Sequence, residues 1–154
     1  MLKVAVLGAG FMGGTHARAF AKLPDVQVVG VSSRSADKAE ALAAEVGAQP
    51  YTDSTALATS PLVDAVSVTL PTNLHKEAVV AALQAGKHVF VEKPMGLSVA
   101  ECDAMIAASQ ANGRLLMVAH VLRFWPEYVA LAGFVQSGAL GKPLSAVASR
   151  LAEP

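Results

Sequence analysis

Six residues near the amino terminus, Gly8-Ala9-Gly10-Phe11-Met12-Gly13, place glycine at the three positions that a phosphate-cradling turn requires. The first glycine makes the tight turn out of a strand. The second lets the backbone approach a diphosphate, and the third lets the following helix pack closely on the strand. Free N–H groups and the positive end of that helix then hold the phosphates. Glycine turns are common and can be merely structural. This one follows an apolar run, Leu2 to Leu7, and precedes a helical stretch from Phe11 to Lys22. That context points to a dinucleotide, with Gly8, Gly10, Phe11, Met12 and Gly13 around its diphosphate.

A second group bears on which dinucleotide. An NAD site usually carries Asp or Glu about 20 residues beyond the glycines, accepting from the ribose hydroxyls. Here the second strand closes on Ser32-Ser33-Arg34, and Lys38 follows one helical turn later. Two hydroxyls and a guanidinium can donate to a 2′-phosphate, Arg34 can stack on adenine, and Lys38 adds charge. The alternative is a polar helix start whose serines cap backbone N–H groups. The chemistry favours NADP over NAD.

These groups need a frame, and the pattern supplies one. After Pro24 and Asp25 come a strand at 26–31, a helix from a Ser35 cap to Val46 with Gly47 as its C-cap, and a brief strand near Tyr51. A helical turn at 54–59 leads to a strand at 64–69 that Pro71 stops. A helix from Leu74 to Ala85 ends at Gly86, a strand covers 88–91, and Ser98 caps a helix running to Asn112-Gly113. A sixth strand spans 115–119. Several strands are continuous apolar runs, as expected where both faces are buried. Strands alternating with crossover helices give an α/β fold with a doubly wound parallel sheet, the Rossmann arrangement. The tail reads as a helix from Phe124 to Ser137, a turn at 138–143, and strand-like residues 144–151.

Composition bounds the rest. The 154 residues carry 12 basic and 12 acidic side chains, a formal net charge of zero, so neither nucleic acid nor an anionic membrane is favoured as a partner. No apolar run approaches the ~18 residues needed to span a bilayer, and the first apolar stretch is too short for a signal peptide. A cytoplasmic protein is expected. The single cysteine, Cys102, excludes a disulfide framework, and His16 and His88 have no partners at ligand spacing, so no metal is expected. With 53% apolar residues and 16% charged ones, part of the surface is expected to meet a partner, and a homo-oligomer is the simplest form.

Three further segments fall at the ends of expected strands, where ligands bind in this architecture. They are Leu70-Pro71-Thr72-Asn73-Leu74-His75, Glu92-Lys93-Pro94, and His120-Val121-Leu122-Arg123-Phe124-Trp125-Pro126. Together with the glycine loop, in this order and at these intervals, they resemble the glucose–fructose oxidoreductase, inositol dehydrogenase and rhizopine-catabolism (Gfo/Idh/MocA) family over essentially the whole chain. The resemblance implies hydride transfer between a nicotinamide and a carbinol carbon of a sugar, polyol or related small molecule. It implies that Lys93 is the catalytic lysine, holding the reacting oxygen and taking part in proton relay. A lysine paired with Glu92, or lying on a solvated loop, is the alternative. Glu92 reads as a positioner, and Pro94 as a stiffener of the turn that can carry a cis bond. The resemblance also sets Leu70, Pro71, Thr72, Asn73 and His75 beside the cofactor, with Glu92, Lys93 and Pro94. Thr72 or Asn73 would cap the next helix, and His75 is either a contact or a packed or capping histidine. His120 and Arg123 are expected near the substrate, or else in a surface loop.

Members of that family are about twice this long. Their second, α/β domain completes the substrate pocket, supplies the Asp and His that work with the lysine, and commonly mediates oligomerisation. The expected division is therefore a dinucleotide-binding domain at 1–122, then a connecting helix and first strand of the next domain at 123–154. The chain is expected to bind the dinucleotide with little or no turnover. A stand-alone dinucleotide-binding sensor or subunit is the alternative.

Overall fold

The structure, a computed structural model, describes residues 1–139, 141–149 and 151. A first compact unit covers Met1–Ala119 and a second begins at His120.

In the first unit six strands form one parallel sheet: β1 (Leu2–Leu7), β2 (Val26–Ser32), β3 (Gln49–Tyr51), β4 (Ala65–Val68), β5 (His88–Val91) and β6 (Leu116–Val118). Their order is β3-β2-β1-β4-β5-β6. The chain thus winds outward from β1 in one direction, returns, and winds outward in the other. The crossovers are α1 (Phe11–Ala21), α2 (Ala36–Val46), α3 (Ser54–Thr59), α4 (His75–Gln84) and α5 (Val99–Asn112). This is the Rossmann-like doubly wound architecture expected above.

Each face of the sheet buries its own cluster, and the two-residue period of a strand sorts the side chains between them. On β1, Ala5 and Leu7 join Leu57, Val79, Leu83 and Met105 on one side. Val6 joins Ala17, Val31 and Leu42 on the other. Strands covered on both faces read as unbroken apolar runs for this reason.

Local chemistry sets the helix ends. Asp53 accepts from the Thr55 and Ala56 N–H groups at 2.8 and 3.0 Å and starts α3. Ser98 accepts from Glu101 N at 3.3 Å and starts α5. Gly47 and Gly113 close their helices in the left-handed region, at φ 70° and 59°, where a side chain is strained. Ser35 stands at the N-cap of α2 but its hydroxyl makes no capping bond.

Two boundaries differ from expectation. Helix α4 begins at His75, because Thr72–Leu74 form a 3₁₀ turn, and neither Thr72 nor Asn73 caps it. In the second unit, Val121–Phe124 form another 3₁₀ turn, and the helix α6 runs Pro126–Gln136 instead of starting at Phe124. Proline disfavours the helical region for the residue before it, so Trp125 sits at ψ 135° and Pro126 takes the first helical position. The expected strand at 144–151 is not formed among the described residues, which offer it no ladder partner. No helix among the described residues is long and apolar enough to cross a membrane.

Candidate functional site

The winding reverses between β1 and β4, and a cleft of about 640 Å³ opens at their carboxyl ends. Gly8, Gly10, Phe11 and Met12 form one wall, Ser33, Arg34 and Lys38 another, and Leu70 and Pro71 a third. Two glycines shape the first wall for different reasons. Gly8 turns at φ +106°, and a Cβ there would meet the Thr69 carbonyl oxygen at 2.8 Å. A Cβ on Gly13 would fall 1.8 Å from the Gly8 carbonyl oxygen, so α1 can lie this close to β1 only with glycine. Gly13 is therefore a packing position and does not line the cleft. Around Gly10 nothing lies within 4 Å of such an atom. The start of α1 has no side-chain cap and no acidic residue in its first turn. Its leading N–H groups, which helix geometry leaves without acceptors, open on the cleft with a positive dipole end behind them. These features fit a diphosphate.

Thr69 completes this corner, and sequence reasoning passed over it. Its hydroxyl donates to the Leu7 carbonyl at 2.8 Å and lies 3.2 Å from that of Gly8. It fastens the end of β4 to the glycine turn. Ser54 and Thr55, also unforeseen, line the wall near Ser33.

Several expected cofactor contacts lie elsewhere. Ser32 is wholly buried, with its hydroxyl 2.8 Å from that of Ser54, so Ser33 is the serine that meets the cleft. The Ser33 hydroxyl also accepts from Ser35 N at 3.2 Å. Thr72 and Asn73 do not line the cleft. His75 is 1% exposed and is a packed histidine. Its Nε2 lies 2.7 Å from the Leu70 carbonyl oxygen and its Nδ1 3.0 Å from that of Pro94, tying the loops after β4 and β5 together.

The Glu92-Lys93-Pro94 turn leaves β5 two strands from β1, about 10 Å at the usual spacing. Its peptide bond between Lys93 and Pro94 is cis. Lys93 is exposed, and its ammonium makes no ion pair among the described residues. Glu92 faces inward and is 7% exposed. One of its oxygens lies 3.3 Å from His16 Nε2, and the other accepts from Lys93 N at 3.0 Å. His16, which has no partner at metal-ligand spacing in the sequence, has its Nδ1 2.8 Å from Ser67 Oγ. Burial pushes this imidazole below its ordinary pKa of 6.5, against the opposing pull of Glu92. In the second unit, His120 stands at the N-cap of the 3₁₀ turn and Arg123 lies within it, with Arg123 N donating to the His120 carbonyl at 3.0 Å.

Comparison with known proteins agrees with this geometry. Residues 2–120 match the profile described as "Oxidoreductase family, NAD-binding Rossmann fold", that of Gfo/Idh/MocA. Inositol 2-dehydrogenase of Salmonella typhimurium is 35% identical over 147 residues, covering 93% of this chain and 44% of that protein. The crystal structure of a probable dehydrogenase from Thermotoga maritima superposes with a TM-score of 0.88 at 34% identity, over 92% of this chain and 43% of that one. A 3-ketoreductase from Actinomadura kijaniata, solved in complex with NADP, gives a TM-score of 0.83 at 30% identity, over 92% and 45%. The chain thus spans less than half the length of the relatives it matches. With the glycine turn, the winding order and the strand-end segments all in place, the chain belongs to the Gfo/Idh/MocA family of NAD(P)-dependent oxidoreductases.

Proposed function

We propose that this chain is the dinucleotide-binding part of an oxidoreductase that moves hydride between nicotinamide and a carbinol carbon of a sugar, polyol or related metabolite. The observation that carries this reading is the cleft at the winding reversal, where the open space at Gly10 meets the uncapped start of α1. With a diphosphate held there, Ser33, Arg34 and Lys38 would hold the adenosine side, and the end of β5 would face the nicotinamide. Arg34 and Lys38 would then meet a 2′-phosphate, which favours NADP, the dinucleotide bound in the structure of the Actinomadura enzyme.

The nicotinamide supplies the hydride acceptor for oxidation of the carbinol, or the donor for the reverse. Lys93 holds the reacting oxygen with its ammonium and takes part in moving the proton that the hydroxyl gains or loses. Its exposure and its lack of a carboxylate partner among the described residues leave it available for that task. Leu70 and Pro71 flank the cofactor, and His120 and Arg123 belong to the substrate side. The matched relatives are more than twice as long, and in this reading the 154 residues bind dinucleotide with little or no turnover by themselves. Calorimetric titration with NADP and NAD tests the reading. Saturable binding is expected, tighter for NADP, and absence of saturation at submillimolar dinucleotide overturns it.

A further inference from the structure

A buried polar chain links α1 to the turn that carries Lys93, and the reading above makes no use of it. Ser67 on β4, His16 on α1 and Glu92 after β5 are 0%, 9% and 7% exposed. The Ser67 hydroxyl meets His16 Nδ1 at 2.8 Å, His16 Nε2 meets Glu92 Oε1 at 3.3 Å, and Glu92 Oε2 accepts from Lys93 N at 3.0 Å. Phe90 stacks on the imidazole at 5.2 Å between centroids, and Phe20 meets its edge at 6.3 Å. The ring is thereby fixed in place and orientation.

The donors and acceptors fit in one order. The Glu92 carboxylate can only accept, so His16 Nε2 bears the hydrogen. In the neutral ring Nδ1 then carries the lone pair and receives the Ser67 proton. Packing alone does not call for three buried polar side chains at a helix–sheet contact, where apolar groups of the same volume would avoid their desolvation. What the chain does is stop the Glu92 side chain from turning, and Glu92 in turn fixes the amide of the residue whose side chain is reactive.

We propose that His16 and Ser67 are positioning residues for Lys93, acting through Glu92 to set the backbone from which the Lys93 side chain departs. The inference rests on the assignment of Lys93 to the nicotinamide end of the cofactor. A positive ammonium there disfavours the cationic oxidised ring relative to the neutral reduced one, so the ratio of the two affinities reports where the ammonium sits.

The test uses the 154-residue chain, titrated with the oxidised and reduced forms of NADP, and of NAD in parallel. ADP-ribose, which lacks the nicotinamide, serves as control. Lys93→Met is expected to reduce the preference for the reduced form by about fivefold, the scale of one solvent-screened charge at close range. His16→Leu is expected to reproduce most of that loss, to leave ADP-ribose affinity unchanged, and to shift the Lys93 amide resonance in a ¹H–¹⁵N spectrum. His16→Gln, whose amide can still donate to Glu92, should restore part of both. Should His16→Leu fail to fold, Ser67→Ala carries the same comparison with a smaller change of volume. If Lys93→Met alters the ratio while folded His16 and Ser67 variants leave it and the Lys93 amide untouched, the positioning inference is overturned and the Lys93 assignment stands. A ratio indifferent to Lys93→Met overturns both, even where the amide still moves.

Discussion

Alanine at Gly10 and alanine at Gly13 should damage this protein in two different ways, although the positions are three residues apart in one turn. At Gly13 the added Cβ would fall 1.8 Å from the Gly8 carbonyl oxygen, where real Cβ contacts stay beyond 3.0 Å. Helix α1 and strand β1 must therefore part by about 1.2 Å against backbone that no rotamer change can clear. Overpacking of this kind costs ~3 kcal/mol, the upper end of the usual range, since nothing flexible can yield. The better helix propensity of alanine returns ~1 kcal/mol. The remaining ~2 kcal/mol lowers Tm by about 4–8 °C in a domain of this size. At Gly10 the backbone lies at φ −86° and ψ −166°, open to any L-residue, and the methyl meets nothing within 4 Å. Stability should hold within ~0.5 kcal/mol. The methyl occupies the space at the head of α1 and keeps a diphosphate from the amides. Loss of even one charge-assisted hydrogen bond, ~1.5–3 kcal/mol, weakens dinucleotide binding at least about tenfold. Scanning calorimetry and isothermal titration on both variants separate the two effects. An unchanged Tm for Gly13→Ala, or wild-type dinucleotide affinity for Gly10→Ala, refutes this account of the turn.

Other consequences follow from the same contacts. On the proposed pairing of its guanidinium with a 2′-phosphate, Arg34→Ala should cost NADP about tenfold in affinity while NAD changes little; equal losses for both would remove the basis for preferring NADP. Thr69→Val keeps the shape but deletes the bond to the Leu7 carbonyl. It should cost ~1 kcal/mol and about 2–4 °C of Tm, and no change would show that the hydroxyl is not the clamp. Because burial depresses the His16 pKa below 6.5, the unfolded chain binds more protons there than the folded one. Its contribution to stability is complete above that pH and is lost as pH falls through the folded value. Urea unfolding at pH 7.5 and pH 5.5 should show this decline, and His16→Gln should flatten it; a variant with the wild-type slope would assign the titration to another group.

The parts of this molecule legible in the sequence are those that a short run of residues decides. Glycine spacing set the turn, apolar runs set strands buried on both faces, and Gly47 and Gly113 marked helix ends where only the left-handed region would serve. The direction a polar side chain takes at a strand's carboxyl end was not legible. Ser32 was expected against the cofactor, Glu92 as a positioner beside it and His75 as either a contact or a packed histidine, and all three turn inward. For Ser32 and Glu92 alternation could not decide, because in a sheet covered on both faces neither side of the strand is marked by solvent. Several of the partners are also remote: Ser32 bonds to a residue 22 positions away and His75 to one 19 away besides the nearby Leu70, while His16 meets Ser67 across 51. No local spacing encodes such pairs. Inward-facing polar groups at the cleft's floor still bear on function, since each bridges two of the strand-end loops or the glycine helix and a loop. The residues lining the cleft are then held in place by residues that face inward, and local spacing in the sequence, which marks Gly8, Gly10 and Arg34 on the cleft wall, does not reveal the second set.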